Sequence, residues 1–212
     1  MGTALSFEIY FNFNRKIASL ITPILYKTPL KPNHITTLSL LAGFISAYFM
    51  SLGSRVAMLG GALFLQISFI LDNCDGDIAR MKSLQSVSGM WYDLTADLGV
   101  DFLQWIGLAL GAVRQGVTPL IFIVCFTACA GSLINFFRVV FMRVAQGRSG
   151  KESALGLGPL SSAIHVLSHD GDPTLFVWFM SLVGYPGYLL FFGAVYINVI
   201  WIYSLILFRN QS

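Results

Sequence analysis

Charge is what this sequence has least of. Only 11% of its 212 residues are Asp, Glu, Lys or Arg, against roughly 25% in an ordinary soluble domain, and that shortage excludes one. Basic runs are missing as well. A net charge of +3, with no basic face interleaved with aromatics, leaves no electrostatic footprint for nucleic acid, which drops out as a partner. Cysteine is scarce: Cys74, Cys125 and Cys129 make neither an even disulfide framework nor a zinc spacing. The start, Met1 to Tyr10, has no basic cap before an apolar run and carries Glu8, so it does not read as a cleaved signal peptide and the mature chain is expected to be the whole chain. At this length a second catalytic domain has no room.

What the sequence has in excess is apolar surface: 56% of residues are hydrophobic and the mean hydropathy is +0.72. Spans of about 20 residues fit roughly six times. Before them, Phe7, Ile9, Tyr10, Phe11 and Phe13 are interrupted by Asn12, Asn14, Arg15 and Lys16, and Ile17, Leu20 and Ile21 follow at helical spacing, the pattern of an amphipathic helix lying in the interface. Pro29 and Pro32 break the chain, and Asn33 stands where a helix N-cap belongs. Apolar runs follow at Ile35–Gly53, at Val56–Leu71, at Gly89–Val113 and at Val117–Val140. A polar connection, Arg148 to Asp172, precedes a short run, Leu175–Tyr185, whose helix is expected to start nearer Asp170. After a turn at Tyr185-Pro186-Gly187-Tyr188 the last run reaches Phe208. The expected fold is therefore an all-α integral membrane protein, with an interfacial N-terminal segment over 1–31 and a six-span domain over 32–212. With both ends inside, eleven of the Lys and Arg residues fall on the cytoplasmic side, and only Arg55 and Arg114 fall outside, as the positive-inside rule requires.

The acids are not spread evenly. Of ten, six lie between Asp72 and Asp101, in or beside two spans, where each costs about 2.5–3.5 kcal/mol or more unless it is paired or lines a cavity. Asp72 and Asp75 are spaced i, i+3 and Asp93 and Asp97 i, i+4, so each pair shares a helical face. The residues between Arg80 and Gly89 let the chain turn back and set the two faces opposite each other. Four carboxylates aimed at one point repel unless a cation lies between them, and hard oxygen ligands suit Mg²⁺, Mn²⁺ or Ca²⁺. Gly76 and Gly89 are positions where a missing side chain lets a ligand approach backbone. A guanidinium such as Arg80 beside these carboxylates suits a phosphate. Together they suggest a phosphoanhydride substrate and phosphoryl transfer.

At these positions the sequence resembles a known family. Asp72-x2-Asp75-Gly76-x2-Ala79-Arg80-x8-Gly89-x3-Asp93-x3-Asp97 is similar, at all eight fixed positions, to the signature of the CDP-alcohol phosphatidyltransferases. Pro32-Asn33-x2-Thr36 at the start of the first span and the six-span layout also resemble that family, while the second half of the chain carries layout alone. The resemblance implies that Asp72, Asp75, Asp93 and Asp97 bind one or two divalent ions, Mg²⁺ or Mn²⁺, and that Asp97 is also the general base. It implies that Asp75, Gly76, Ala79, Arg80 and Gly89 shape the CDP pocket, with Arg80 near the diphosphate. The implied reaction is attack of an acceptor hydroxyl on the β-phosphorus of a CDP-alcohol with release of CMP, in a membrane homodimer.

Bland readings stand beside these. Asp101 is expected to serve polar packing, and Asp77 to be solvated or locally paired. Arg138 and Arg143 suit either snorkelling or contact with the phosphate of an acceptor. His34 reads as interfacial, His165 and His169 with Asp170 and Asp172 as a solvated connection, and Cys125 and Cys129 as packing. The wording around Asp72–Arg80 and Asn14-Arg15-Lys16-Ile17 resembles the branch handling inositol-phosphate-type donors, which often carries a fused cytidylyltransferase domain. This chain has none, so a polar donor would come from a separate protein. The alternative donor is CDP-diacylglycerol, with glycerol 3-phosphate, serine or inositol phosphate as acceptor. A cation transporter would also place acids in a membrane cavity, but it predicts repeats, which the sequence lacks.

Overall fold

The structure, a computed structural model, describes residues 13–117, 119–149 and 174–209, with side chains described over 13–117, 119–141 and 174–203. All elements among them are helical: α1 (Phe13–Tyr26), α2 (Pro32–Ser51), α3 (Arg55–Met81), α4 (Val87–Arg114), α5 (Leu120–Ser149), α6 (Thr174–Val183) and α7 (Pro186–Arg209). Five of them, α2 to α5 and α7, contain stretches long and apolar enough to cross a membrane, and α6 is a shorter apolar helix.

Local chemistry accounts for the helix ends. Proline lacks an N–H and so is cheapest at the first helical position. Pro32 takes that position in α2, which makes Lys31 the N-cap in place of Asn33. The Lys31 N–H donates to His34 Nδ1 at 3.4 Å, a role in the cap beyond the interfacial one expected for His34. Gly53 turns the chain with a positive φ of 72°, and Ser54 caps α3 by accepting from the Ala57 N–H. Ser86 does the same for α4, accepting from the Gly89 N–H at 3.0 Å. Gly184 ends α6 at φ 83°, and Pro186 is already the first residue of α7, so the turn lies at Gly184–Tyr185, earlier than the expected 185–188.

The apolar run of the second span ends at Asp72, but the helix does not. Helix α3 continues through the acids to Met81, its 27 residues rising about 40 Å against a hydrocarbon layer of about 30 Å. Helix α2 runs antiparallel to α3, sewn to it by buried hydroxyls. The Ser39 Oγ donates to the Ser68 carbonyl and Ser68 Oγ to the Ser39 carbonyl, both at 2.9 Å, and Ser46 Oγ donates to the Gly61 carbonyl at 2.7 Å. Helices without a hydrophobic force between them associate through such bonds and through small residues.

The ends of the bundle differ. At one end Gln115 Nε2 donates to the carbonyls of Gly53 and Gly184, at 2.5 and 2.8 Å. Arg114 donates to the Ser51 carbonyl and Arg55 to that of Val183 at 3.4 Å. The two cations expected outside thus share one end, away from Asp72–Arg80. A large core including Met50, Met58, Leu108, Ala112 and Leu190 fills this half, and a smaller one of Ala18, Ile35, Ile70, Cys74 and Ile78 lies under the acids.

Helix α1 packs on α3 with an unexpected stripe. Asn14, Ala18 and Thr22 are buried, while Leu20 and Ile24 face outward, 74% and 67% exposed. Asn14 is held in a chain of side chains: Trp178 Nε1 donates to Gln66 Oε1 at 2.5 Å, Gln66 Nε2 to Asn14 Oδ1 at 2.8 Å, and Asn14 Nδ2 to Thr174 Oγ1 at 3.2 Å. The described part of α6 therefore reaches from the Arg55 end only to the level of Gln66, part-way along α3. Gln66→Leu removes the acceptor of Trp178 Nε1 and the donor to Asn14 Oδ1 at depth, and is expected to lower stability by about 1–3 kcal/mol, read as a lower Tm of the solubilised protein.

Candidate functional site

The returning chain at Lys82–Ser86 sets the acidic half of α3 beside the start of α4. Carboxylate oxygens of Asp72, Asp75 and Asp93 lie within 4.8 Å of one another. Opposite oxygens around an octahedral Mg²⁺ are about 4.2 Å apart, and those around Ca²⁺ about 4.8 Å, so the three fit the shell of a single hard divalent ion. Asp97, the next residue along that face of α4, hydrogen-bonds Asp72 and lies within electrostatic reach of Asp93 and Asp101. It is exposed by surface area, although acids surround it, as a residue on a cavity wall would be. Two carboxylates in such contact need a proton or cation between them. The structure thus brings three expected ligands into one cluster and places the fourth against its Asp72 edge.

Asp75 is the most enclosed of the cluster, at 5% exposure. Thr36 Oγ1, in the first turn of α2, donates to its Oδ2, and Thr36 itself is 4% exposed. The same turn supplies Thr37, whose hydroxyl shares a 2.9 Å hydrogen bond with that of Tyr92. It also supplies Asn33, whose Oδ1 would lie 3.5 Å from a Cβ at Gly89. Helix α2 therefore forms a wall of the site, which spacing within α3 and α4 does not reveal. Polar Asn33, Thr36 and Thr37 at the mouth of an otherwise apolar span were the available signal.

Of the remaining signature residues, Gly76, Ala79 and Arg80 share one side of α3, and Gly89 lies in the first turn of α4. Arg80 Nη2 pairs with Asp77 Oδ1 at 2.5 Å, with side chains 55% and 28% exposed, so Asp77 is the locally paired acid that was expected. The Arg80 guanidinium rests over Gly76, where a Cβ would stand 3.5 Å from Nη1. Ala79 is half-buried, and its carbonyl accepts the Leu84 N–H at 2.9 Å. A Cβ at Gly89 would press on Ser86 Oγ at 3.0 Å, so its absence keeps the α4 cap closed and that surface open.

Asp101 is engaged with Ser132 of α5, which also accepts from Trp105 Nε1 at 2.9 Å. It ties α4 to α5, in keeping with polar packing. Arg138 is half-buried and donates through Nε and Nη2 to Asn135 Oδ1, at 3.0 and 2.8 Å, which directs it along its own helix. The side chain of Arg143 lies outside the described residues, as do His165, His169, Asp170 and Asp172.

Comparison with known proteins agrees with this geometry. The family described as CDP-alcohol phosphatidyltransferase matches residues 30–208. A bifunctional IPC transferase and DIPP synthase of Rubrobacter xylanophilus is 35% identical over 77% of this chain and 34% of its own length. A protein of the same description from Aquifex aeolicus is 34% identical over 47% of this chain and 22% of its own. The chain thus spans about a third or less of the length of these relatives. In three dimensions the apo phosphatidylinositol phosphate synthase of Mycobacterium tuberculosis matches with a TM-score of 0.54 at 20% identity, over 87% of this chain and 94% of that one. This likeness shows the fold. A complete signature, gathered around a carboxylate cluster in a helical membrane bundle and matched over residues 30–208, places the chain in the CDP-alcohol phosphatidyltransferase family.

Proposed function

We propose that this protein transfers a phosphoalcohol group from a CDP-alcohol to an acceptor hydroxyl, releasing CMP. The observation that carries this reading is the convergence of Asp72, Asp75 and Asp93 within 4.8 Å, with Arg80 and Gly76 on the same helix. A divalent ion bound there, Mg²⁺ or Mn²⁺, would supply neutralisation of charge on the diphosphate. Arg80 gives the donor phosphates a cation with several N–H groups, while Gly76, Ala79 and Gly89 leave room for the nucleotide. Asp97 takes the proton of the acceptor hydroxyl as the oxygen attacks the β-phosphorus in line. The phosphoanhydride bond breaks and its electrons leave with CMP. Positioning, a base and charge neutralisation account for such a step without a covalent enzyme intermediate. Arg138, and Arg143 a turn and more beyond it, are the cations proposed for an acceptor that is a phosphate ester.

The proposed setting is a six-span domain over 32–212, with α6 extended toward Asp170 as the fifth span and the segment 1–31 at the interface. The acids and both termini would face the cytoplasm, and the enzyme would act as a homodimer. Support for the orientation is the clustering of Arg55 and Arg114 at the far end of the bundle, since few cations are carried across. The relatives' names, IPC transferase and DIPP synthase among them, favour inositol-phosphate-type chemistry over other alcohols.

The test is CMP release by the purified full chain in lipid nanodiscs, with CDP-inositol or CDP-diacylglycerol as donor and a panel of hydroxyl acceptors. Turnover is expected with one donor, lost on adding EDTA and regained with Mg²⁺ or Mn²⁺. Absence of CMP with every donor and both ions overturns the proposal.

A further inference from the structure

We infer that Thr36 is a positioning residue for the metal centre, orienting the Asp75 carboxylate from a neighbouring helix. The inference rests on the functional reading above and deepens it. Thr36 Oγ1 donates to Asp75 Oδ2; both residues are about 95% buried, so water does not replace the bond. A hydroxyl has one proton. The Pro32 carbonyl, at 3.2 Å, is the competing acceptor, and an ionised carboxylate is the stronger one. The bond uses one lone pair of Oδ2 and stops the side chain rotating about its Cβ–Cγ bond, leaving the rest of the carboxylate turned toward Asp72 and Asp93.

The placement of Thr36 is itself held at both ends. Behind it, Lys82 Nζ, at the end of α3, donates to the carbonyls of Thr28 and Leu30 at 2.8 and 2.9 Å, fastening the α1–α2 connection to the helix that bears Asp72 and Asp75. Ahead of it, the reciprocal Ser39–Ser68 bonds fix the next contact of α2 on α3. Pro32 sets the start of α2 between them. The hydroxyl thus meets the carboxylate in one register only. Hydrogen bonds that orient metal ligands typically carry a 10–100-fold effect on metal affinity.

Mn²⁺ binding to the purified full chain, followed by electron paramagnetic resonance without nucleotide, tests this. Thr36→Val, nearly isosteric, is expected to weaken Mn²⁺ about 10–100-fold, and Thr36→Ser to restore wild-type binding. Ser46→Ala removes an equally buried bond between the same helices, to the Gly61 carbonyl in the other half of the bundle, and is expected to leave Mn²⁺ affinity unchanged. In turnover, Thr36→Val should raise the Mn²⁺ concentration for half activity while leaving the donor KM at saturating Mn²⁺ near wild type. Should Thr36→Val prevent folding, Thr36→Ala replaces it. Wild-type affinity in Thr36→Val, or equal losses in Thr36→Val and Ser46→Ala, would overturn the positioning role while leaving the metal centre intact. If the wild-type chain and Asp75→Asn both bind no Mn²⁺, the metal reading fails and this inference with it.

Discussion

Asp97→Asn is expected to lower the rate of CMP release by about 10²–10⁴-fold, the usual contribution of a positioned general base. Asparagine keeps the shape of the side chain and loses the charge and the proton-accepting oxygen. The position of Asp97 makes the prediction specific. Three carboxylates, Asp72, Asp75 and Asp93, lie close enough to surround one ion, whereas Asp97 touches the cluster through Asp72 and has an exposed surface from which to reach an incoming hydroxyl. Asp97→Asn should therefore leave Mn²⁺ affinity closer to wild type than Asp75→Asn does, and its deficit should persist at saturating metal. Single-turnover CMP release at high Mn²⁺ distinguishes the two. A wild-type rate in Asp97→Asn removes the base assignment; full recovery of activity at high metal makes Asp97 a ligand only.

The largest expected effect on folding lies at the opposite end of the bundle. Gly107 and Gly111 are two small residues one turn apart on α4, the spacing that lets membrane helices approach closely. A Cβ at Gly107 would stand 2.5 Å from the Ala47 carbonyl oxygen, and one at Gly111 would collide with that of Met50. Around Gly111 three elements converge, because the Gly53 Cα and the Pro186 Cγ would each be 3.3 Å from the added carbon. These neighbours are backbone and a proline ring, with no rotamer to yield, so relief requires α2 and α4 to separate. Gly111→Ala is expected to cost about 1–3 kcal/mol and Gly111→Val more. Loss of the monodisperse peak in size-exclusion chromatography and a lower Tm measure it. Gly116, also on a turn at this end but with nothing near its missing Cβ, is the comparison, although its φ of 85° adds a local strain of its own. A Gly111→Val chain as stable as wild type would contradict the packing described.

The two effects are distinct, since Asp97 lies in the half of α4 near its capped start and Gly111 near its end. Asp97→Asn should leave Tm close to wild type, because the charge removed is one of a crowded set of like charges. Gly111→Val should lose activity only as far as it loses folded protein.

Much of the site was legible because its signal is local. A helix of 3.6 residues per turn puts Asp72 with Asp75, and Asp93 with Asp97, on shared faces, and a five-residue return between α3 and α4 brings those faces together whatever the rest of the bundle does. The pairing of Asp77 with Arg80, three residues apart on one helix, is local in the same way. Apolar content and run length likewise announce a helical membrane protein, since backbone polar groups in lipid must be satisfied within the helix. The apolar run stops at Leu71 while α3 continues to Met81, because hydropathy reports the surroundings of a helix and backbone bonding reports its length.

Sequence by itself thus determined the class of fold, the two acid-bearing helices and the residue types that can hold a hard cation. Tertiary structure alone decided that Asp97 stands at the edge of a cluster of three, that Thr36 reaches Asp75, that Lys82 fastens the α1–α2 connection, and that a polar stripe of α1 faces inward. Each of these depends on the register between helices distant in sequence. That register is set by buried hydroxyl bonds, close glycine contacts and packing summed over whole helix faces, and spacing along one helix does not say which residues of another helix each of these will meet.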